Sequence, residues 1–485
     1  SLLLASAGGL LGITFALWAR DALLALLVNT GASPIPPDLN TSLDWRVLAF
    51  SAFVSTITGV ACGVLPALRV TRVAVADSLK EQSRGAVGSE GGRRGLMLGK
   101  VLVAAQIAFC LLLLVIAALF GRSLRSLAQA DIGFDRDHVL TARVDVRAAG
   151  YTPAERQALY ARLVERLGAV PGVAGVALSM NGPLANTSRT SNMVVEGHHP
   201  APHETLTTNQ ETVTAGYFDT VGLRILDGRR FTAEDRNPEL RRTIINATMA
   251  KRFFPGQSAV GKRLGYGDAI DKDAFVIIGV VEDARYLSIR AATPTMTYFL
   301  ADAFPDDVLS DIELKTAGRP DALAQTVRDT IARIEPRLPI VEVLPLTARI
   351  DRGTTEDRMV AHLTSIFGGL ALLLASLGLY GTISYGMSRR VGELGLRMAL
   401  GADRRAVLLM VMREALVLVL AGLAIGLPMA FVAGRSVAAL LFGVNPADPV
   451  AFGGGAVTLL AVATLAAYLP AYRASRIEPM VALGR

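Results

Sequence analysis

The stretch PGQSAVGKRL, residues 255–264, places Gly256, Gly261 and Lys262 at the spacing of a phosphate-binding loop. Such a loop cradles nucleotide phosphates with backbone amides. It joins a buried strand to a helix and needs Ser or Thr after the Lys to hold magnesium. Here Arg263 follows the Lys, and the preceding NATMAKRFF is typical of a helix. The pattern therefore predicts a glycine-marked turn between a helix and a β-segment rather than a nucleotide site.

The tract EGHHPAPHE is the second group of residues that could do chemistry, because it contains His198, His199 and His203. Histidine tracts can bind metal ions. Two prolines and the lack of a helical or strand pattern favour a solvated loop instead, and the sequence leaves both interpretations open. The sequence contains no C-x-x-C, H-E-x-x-H or G-x-S-x-G motif, and no carboxylate pair whose context specifies acid–base catalysis. The chain is therefore expected to be non-catalytic and to hold no cofactor of its own.

The elements that carry these residues follow from an apolar composition. Hydrophobic residues make up 52% of the 485 residues, above the roughly 45–50% of soluble domains. Runs of about 20 apolar residues are long enough to cross the hydrocarbon core of a membrane. Such runs predict six transmembrane helices, at residues 1–27, 47–68, 101–120, 363–387, 415–434 and 450–470. The chain starts with Ser1, inside the first run and without a signal-peptide pattern, so we expect it to be part of a longer protein.

The loops between the apolar runs predict the orientation, because cytoplasmic loops of membrane proteins are enriched in Lys and Arg. The connections at 69–100 and 388–405 and the C-terminal tail are rich in Arg, whereas 29–45 and 440–449 contain no Lys or Arg. This alternation places the C-terminus in the cytoplasm and residues 121–361 outside it. That outer block is nearly neutral, so the net charge of +7 comes from the membrane part and does not indicate nucleic-acid binding.

The outer block contains two stretches with the same predicted order of elements. VLTARVDV, TPAERQALYARLVERLGAV and VAGVALSM read as strand, helix and strand, and so do VLSDIELKT, RPDALAQTVRDTIARIEP and IVEVLPL. Between them, residues about 183–300 contain short β-rich runs broken by Gly, Pro and Asp. The predicted fold class is an α-helical membrane protein with six transmembrane helices and an α+β extracytoplasmic domain. We expect that domain to comprise two β-α-β units and a β-rich insertion.

The first two apolar runs repeat the last two. VLPALRVTRVAVADSLK at 64–80 matches YLPAYRASRIEPMVALG at 468–484, and AGGLLGITFALWARDALLALL at 7–27 matches AGLAIGLPMAFVAGRSVAALL at 421–441. The sequence therefore indicates an internal duplication. Each copy ends in a basic motif, which is either a simple anchor at the membrane surface or part of a docking surface.

The most specific segment is SRRVGELGLRMALGADRRAVLLMVMREA, which starts at Ser388. Its charges alone indicate only a basic cytoplasmic loop. Its pattern, however, resembles a loop of the ABC transporter permeases that include the macrolide exporter, the cell-division permease and the lipoprotein-releasing complex. In that family the loop forms a short helix that seats in a groove of a cytoplasmic ATPase. Met398 stands where a second basic residue is common. The residues that match the family pattern are Arg389, Arg390, Glu393, Gly395, Arg397, Ala399, Gly401 and Ala402.

The resemblance extends over nearly the whole chain. GFDRDHVLTARVDV, YFDTVGLRILDGRRFTAEDR, FFPGQSAVGKRL and VIIGVVEDARYLSI are similar to the outer domain of these permeases. The chain is most similar to the duplicated orphan permeases of acidobacteria, in which two four-span halves are fused. The resemblance implies the last two transmembrane helices of a first half at 1–68, a cytoplasmic linker at 69–100, the first transmembrane helix of the second half at 101–120, a periplasmic core domain at 121–361, and three transmembrane helices at 362–485 with the coupling loop at 388–405.

The implied function is that of a permease subunit in the bacterial inner membrane. It would transmit the motion of a cytoplasmic ABC-type ATPase dimer, which binds the ATP, to the periplasmic domain for export or efflux. Membrane lipid, a periplasmic adaptor and an outer-membrane channel are the further expected partners. The spans from residue 47 onward contain no charged residue, which disfavours an ion-coupled carrier. Two alternatives stay open: regulation of a periplasmic partner such as a cell-wall hydrolase, and extraction of lipoproteins.

Overall fold

The computed structural model of the chain describes residues 90–200, 202, 204–266, 270–388 and 403–474, with short helical pieces between residues 7 and 60. The chain divides into two compact units, an outer unit at Gln129–Thr354 and a helical unit formed by residues on either side of it. The helices are α1 (Glu90–Gln129), α2 (Pro153–Gly168), α3 (Tyr217–Val221), α4 (Ala247–Phe253), α5 (Ala324–Ile334), α6 (Leu346–Gly353), α7 (Thr355–Ser388), α8 (Arg404–Ser436) and α9 (Pro449–Ala474). The strands are β1 (Val139–Val144), β2 (Val173–Ser179), β3 (Arg189–Val195), β4 (Thr207–Val213), β5 (Ile225–Gly228), β6 (Arg242–Asn246), β7 (Arg263–Tyr266), β8 (Phe275–Val281), β9 (Met296–Leu300), β10 (Asp311–Thr316) and β11 (Ile340–Pro345).

The helical unit is built from α1, α7, α8 and α9. Among the described residues, four helices are long and apolar enough to cross a membrane: Gly99–Gln129, Thr355–Ser388, Arg405–Ser436 and Pro449–Arg473. They contain the last four of the six predicted spans. The other two predicted spans, 1–27 and 47–68, lie largely outside the described residues.

Small residues lie among the larger apolar side chains at the centre of this helical unit. Cys110, Ala430, Ala467 and Ala471 are fully buried and belong to one apolar cluster that draws on all four helices. Lipid tails are as apolar as these side chains, so association rests largely on van der Waals contact between helices that approach closely. Small side chains permit that approach.

The first layer of the outer unit is a sheet in the order β11-β1-β10-β2, with antiparallel neighbours throughout. Helices α2 and α5 each connect two of these strands, so the strand–helix–strand stretches at 139–179 and 311–345 interleave in a ferredoxin-like arrangement. Both helices pack onto the sheet through one apolar core. That core includes Leu140, Leu159, Leu163, Leu314, Val327 and Ile331.

Helix α2 begins where its sequence specifies a cap. Thr152 accepts a hydrogen bond from the backbone N–H of Glu155 (3.4 Å), and the Glu155 carboxylate accepts one from the backbone N–H of Thr152 (2.8 Å). This capping box satisfies two backbone donors at the helix start. Leu159, Leu163 and Leu167 then recur on one face and are fully buried.

The segment between β2 and β10 forms a second layer with a core of its own. Its strands surround buried side chains that include Met193, Ile245, Phe275 and Phe299. Strand β4 joins the two layers, because it pairs with β2 at Ser179 and also runs parallel to β9. One continuous sheet therefore covers two separate hydrophobic cores.

Candidate functional site

The predicted ATPase-contacting residues, Arg389, Arg390, Glu393, Gly395, Arg397, Ala399, Gly401 and Ala402, all lie outside the described residues. The structure describes the helices on both sides of this coupling segment. Helix α7 ends at Ser388, and α8 begins after Asp403, whose backbone carbonyl accepts a hydrogen bond from the N–H of Ala406 (2.9 Å). The candidate functional site is therefore the helical unit that carries the coupling segment.

Helix α7 connects the coupling segment to the outer unit without a break. It is 34 residues long, which corresponds to about 50 Å at 1.5 Å per residue. It begins at Thr355, directly after the last residue of the outer unit, and ends at Ser388, directly before Arg389. The two positions are therefore joined by one helix with no break between Thr355 and Ser388.

Two glycines on α8 lie against α1. A Cβ atom added to Gly422 would lie 2.4 Å from Cγ2 of Ile107, and one added to Gly426 would lie 2.9 Å from the carbonyl oxygen of Ala108. The spacing Gly-x-x-x-Gly places both residues on one face of α8, where the absence of side chains permits close backbone approach. The contact between α1 and α8 is therefore sterically specific.

Polar contacts tie the helices together at the end of the unit that adjoins the coupling segment. Lys100 on α1 forms an ion pair with Glu414 on α8. Arg473 near the end of α9 donates a hydrogen bond to the hydroxyl of Tyr380 on α7 (3.1 Å). The two helices that flank the coupling segment are thus bonded to two different partner helices.

At the other end of the helical unit, the connection between α8 and α9 is bonded to α1. Arg122 donates to the carboxylate of Asp448 (3.1 Å), and the backbone N–H of Phe442 donates to the hydroxyl of Ser123 (2.8 Å). Asp448 also accepts hydrogen bonds from the backbone N–H groups of Val450 (2.8 Å) and Ala451 (3.2 Å). It therefore caps α9 and joins that helix to α1.

Within the outer unit, a buried arginine holds the helix that precedes α7. Arg349 on α6 donates hydrogen bonds to Asp311 on β10 (2.7 Å), to Glu342 on β11 (3.3 Å) and to the carbonyl of Pro183 (3.0 Å). Its side chain is 8% exposed. Charge-assisted bonds in a buried setting are among the stronger polar contacts, so α6 is firmly attached to the sheet of the outer unit.

Two buried carboxyl groups lie where β2 leaves the first layer. The Glu211 carboxyl on β4 accepts hydrogen bonds from the backbone N–H of Asn181 (2.8 Å) and from its side-chain amide (3.1 Å). Glu313 on β10 accepts a hydrogen bond from the Ser179 hydroxyl, and its second oxygen has no hydrogen-bond partner among the described residues. The two side chains therefore bracket residues 179–181, where the two layers join.

Burial changes the ionisation of both groups. It raises the pKa of Glu211 to about 8, although the hydrogen bonds from Asn181 act in the opposite direction. Burial and the nearby carboxylate of Asp311 raise the pKa of Glu313 well above its usual range. Both carboxyl groups are therefore mostly protonated at neutral pH, and the joint between the layers depends on neutral groups.

The structure describes the glycine-marked motif and part of the histidine tract. Gly256 and Gly261 both adopt positive φ in the turn between α4 and β7. The backbone N–H of Gly261 donates a hydrogen bond to the carbonyl oxygen of Ile277 (2.8 Å). The predicted turn is therefore present. In the histidine tract, His198 contacts the carboxylate of Glu204 (3.0 Å), and His203 lies outside the described residues. Groups of three potential metal ligands are absent from the described part of the chain.

Comparison with known proteins identifies the class of this chain. Residues 101–354 match the family of the MacB-like periplasmic core domain, and residues 365–479 match the FtsX-like permease C-terminal family. The first match alone covers more than half of the chain. Together with the apolar helices, these matches define a membrane permease of the ABC transporter class with a periplasmic domain. The chain belongs to the MacB/FtsX-like family of ABC transporter permeases, and the predicted family resemblance is confirmed.

Its relatives include both fused and separate permeases. The chain is 26% identical over 292 residues to the macrolide export ATP-binding/permease protein MacB of Nitrobacter winogradskyi, a match to 58% of this chain and 44% of that protein. It is 25% identical over 282 residues to the uncharacterized ABC transporter permease YknZ of Bacillus subtilis, a match to 56% of this chain and 68% of that protein. The chain therefore spans less than half of the MacB relative and corresponds to its permease part.

A solved structure also matches this chain. The periplasmic region of MacB from Actinobacillus actinomycetemcomitans matches 44% of this chain and 93% of its own, with 17% identity and a TM-score of 0.31.

Proposed function

We propose that this chain transmits the ATP-driven motion of a cytoplasmic ATPase dimer to its outer domain, and that this motion serves export across the inner membrane. The observation that carries the proposal is helix α7, which runs unbroken from the outer unit at Thr355 to the residue before the coupling segment. A rigid element that joins the two ends is what mechanical transmission requires. ATP hydrolysis belongs to the partner in this proposal, and the chain itself is not catalytic.

The contacts at each end of α7 support this role. The preceding helix, α6, is attached to the sheet of the outer unit through Arg349. At the other end, Glu393 and Arg397 are four residues apart, so in a helical coupling segment they lie on one face. That face would bind the groove of the ATPase, and its movement would reach the outer unit through α7 and α6.

Export is the proposed direction because the matched relative of Nitrobacter winogradskyi is named a macrolide export protein. A periplasmic adaptor and an outer-membrane channel would continue the path of the cargo. The orientation proposed here has the coupling segment and the C-terminus in the cytoplasm. The regulatory alternative, control of a periplasmic hydrolase, gains no specific support from the residues that the structure describes.

The coupling proposal is tested by replacing Glu393 and Arg397 together with Ala in the full-length protein. Because these side chains are proposed to contact the ATPase, we expect the double variant to lose its stimulation of ATP hydrolysis in reconstituted vesicles. The matched control replaces Asp329 and Arg333 with Ala, since both are exposed on α5 and are also opposite charges four residues apart. Full stimulation by a correctly inserted Glu393/Arg397 variant would refute the coupling role.

The orientation is tested by labelling cysteines from outside the cell. In a chain whose Cys62 and Cys110 are replaced by Ala, Ser388→Cys marks the end of α7 and Gly318→Cys marks an exposed turn of the outer unit. A membrane-impermeant thiol reagent, applied to spheroplasts, should label residue 318 and not residue 388. Labelling of residue 388 under these conditions would reverse the proposed topology.

A further inference from the structure

A pocket of about 290 Å³ opens between α1 and α8 near the end of the helical unit that adjoins the coupling segment. Its wall combines charged side chains with apolar ones. The charged side chains come from both helices, and the apolar ones come from α8. The lining residues are Lys100, Met410, Arg413, Glu414, Val417 and Leu418.

The charges in this pocket do not cancel. Lys100 forms an ion pair with Glu414, and both side chains are 37% exposed. Arg413 is also exposed, and it forms no ion pair with any other residue that the structure describes. The lining therefore carries two cations against one carboxylate and has a net charge of +1. One phosphodiester group, with a single negative charge, would neutralise it.

The position of the pocket along both helices matches the boundary of the membrane. The uncharged part of α1 begins at Val101, directly after Lys100. The uncharged part of α8 begins at Ala415, directly after Arg413 and Glu414, and continues for about 20 residues, the length of a hydrocarbon core. The charged side chains therefore lie at the level of lipid headgroups, while Val417 and Leu418 lie at the level where acyl chains begin.

We propose that this pocket binds the phosphodiester headgroup of an anionic phospholipid. Arg413 and Lys100 hold the phosphate oxygens, and Val417 and Leu418 contact the upper part of an acyl chain. Basic pockets between membrane helices are suited to such headgroups, and guanidinium groups bind phosphate oxygens with two parallel hydrogen bonds. Assignment to the cytoplasmic leaflet rests on the orientation proposed above, but the chemistry of the ligand does not.

The test uses the full chain purified in detergent, with bound lipid counted by native mass spectrometry during a titration with phosphatidylglycerol. Arg413→Gln should weaken binding about tenfold, which corresponds to about 1.4 kcal/mol, and Lys100→Gln should also weaken it. The control is Arg405→Gln, because Arg405 is exposed on the same helix but does not line the pocket. The control should bind as the unchanged chain does.

Three outcomes would overturn the proposal. Phosphatidylcholine could bind as tightly as phosphatidylglycerol, which would remove the charge argument. Inorganic phosphate at millimolar concentration could displace the lipid completely, which would identify a site for free anions. Arg413→Gln and Lys100→Gln could both keep full affinity, or lose no more than Arg405→Gln. If Arg413→Gln does not fold, Lys100→Gln decides the same question. No ATPase is present in this assay, so its result is independent of the coupling experiment.

Discussion

Replacing Glu211 with Gln should remove a large part of the pH dependence of stability in the outer unit. The carboxyl group of Glu211 is buried at the joint between the two layers, and its pKa is about 8 in the folded chain against an ordinary value of 4.5. Between these two values the unfolded chain has released a proton that the folded chain retains. The free energy of unfolding must therefore fall as pH rises through this window.

The size of the effect follows from proton linkage. A single group with this difference changes the free energy of unfolding by about 1.4 kcal/mol per pH unit. From pH 6 to pH 8 the outer unit should therefore lose roughly 2 to 3 kcal/mol through Glu211 alone. Glu313 contributes with the same sign, because its pKa is also raised. Glu211→Gln should reduce the slope without removing it, since Gln remains neutral at every pH.

The measurement is urea unfolding of the segment Gln129–Thr354, which forms a compact unit, followed by circular dichroism at about pH 6 and pH 8. The control is Glu165→Gln, the same change at an exposed position on α2. It should unfold with the same pH dependence as the unchanged segment. An equal loss of stability from pH 6 to pH 8 in the Glu211→Gln segment and the unchanged one would refute the reasoning, because it would mean that Glu211 does not retain its proton on folding.

Two further predictions concern the helical unit. Gly422→Leu should lower the free energy of unfolding of the full chain in detergent by about 1 to 3 kcal/mol through overpacking, because even a Cβ would lie 2.4 Å from Ile107. The control is Gly453→Leu, whose Cβ would meet nothing within 4 Å, and it should not lower this free energy. Equal losses of stability on thermal unfolding of the two variants would contradict the close contact between α1 and α8. Asp448→Ala should lower the free energy of unfolding by about 1 kcal/mol, because the cap of α9 is lost. Asp448→Asn should retain most of that stability, because its side-chain oxygen still accepts the hydrogen bonds from the N–H groups of Val450 and Ala451. No difference between the two variants in thermal unfolding would show that capping is unimportant here.

The sequence predicted those parts of the fold that depend on local pattern. Four apolar runs correspond to α1, α7, α8 and α9, because the thickness of the membrane fixes the required length of an apolar helix. The strand at VLTARVDV corresponds to β1, and the helix after Thr152 corresponds to α2, because alternation and capping are local signals. The order of strands was not predictable in this way. Strand β10 separates β1 from β2 although it lies more than 130 residues away from both.

The sequence also did not predict the close contact between α1 and α8 or the buried carboxyl groups of the outer unit, for a related reason. The Gly-x-x-x-Gly spacing at Gly422 and Gly426 is visible in the sequence, but nothing local identifies α1 as the partner. Glu211 and Glu313 lie in strands whose alternation would allow either side chain to face solvent. Their burial depends on β4 joining β2, which is a contact between distant segments. The residues of the coupling segment were predicted only through resemblance and stay a prediction.

Salt bridges link three of the four helices, whereas α7 is linked to α9 by the hydrogen bond from Arg473 to the Tyr380 hydroxyl. Lys100 and Arg122 on α1 are 22 positions apart, or about 33 Å, close to the roughly 30 Å of the hydrocarbon core. They pair with Glu414 of α8 and with Asp448 at the start of α9. If α1 slid by one helical turn, about 5.4 Å, one of these charges would enter the hydrocarbon, which is costly.

Helix α7 is free of this restraint over most of its length. It contains no Lys, Arg, Asp or Glu from residue 359 to residue 388, and its apolar run at 363–387 is about 37 Å long. That run exceeds the hydrocarbon core by about 7 Å, so α7 can shift by about one turn along its axis and still fill the core with apolar residues. Such a shift would bring no Lys, Arg, Asp or Glu of α7 into the hydrocarbon, but it would break the hydrogen bond from Arg473 to Tyr380. In the proposed mechanism we expect α7 to move against a frame of α1, α8 and α9.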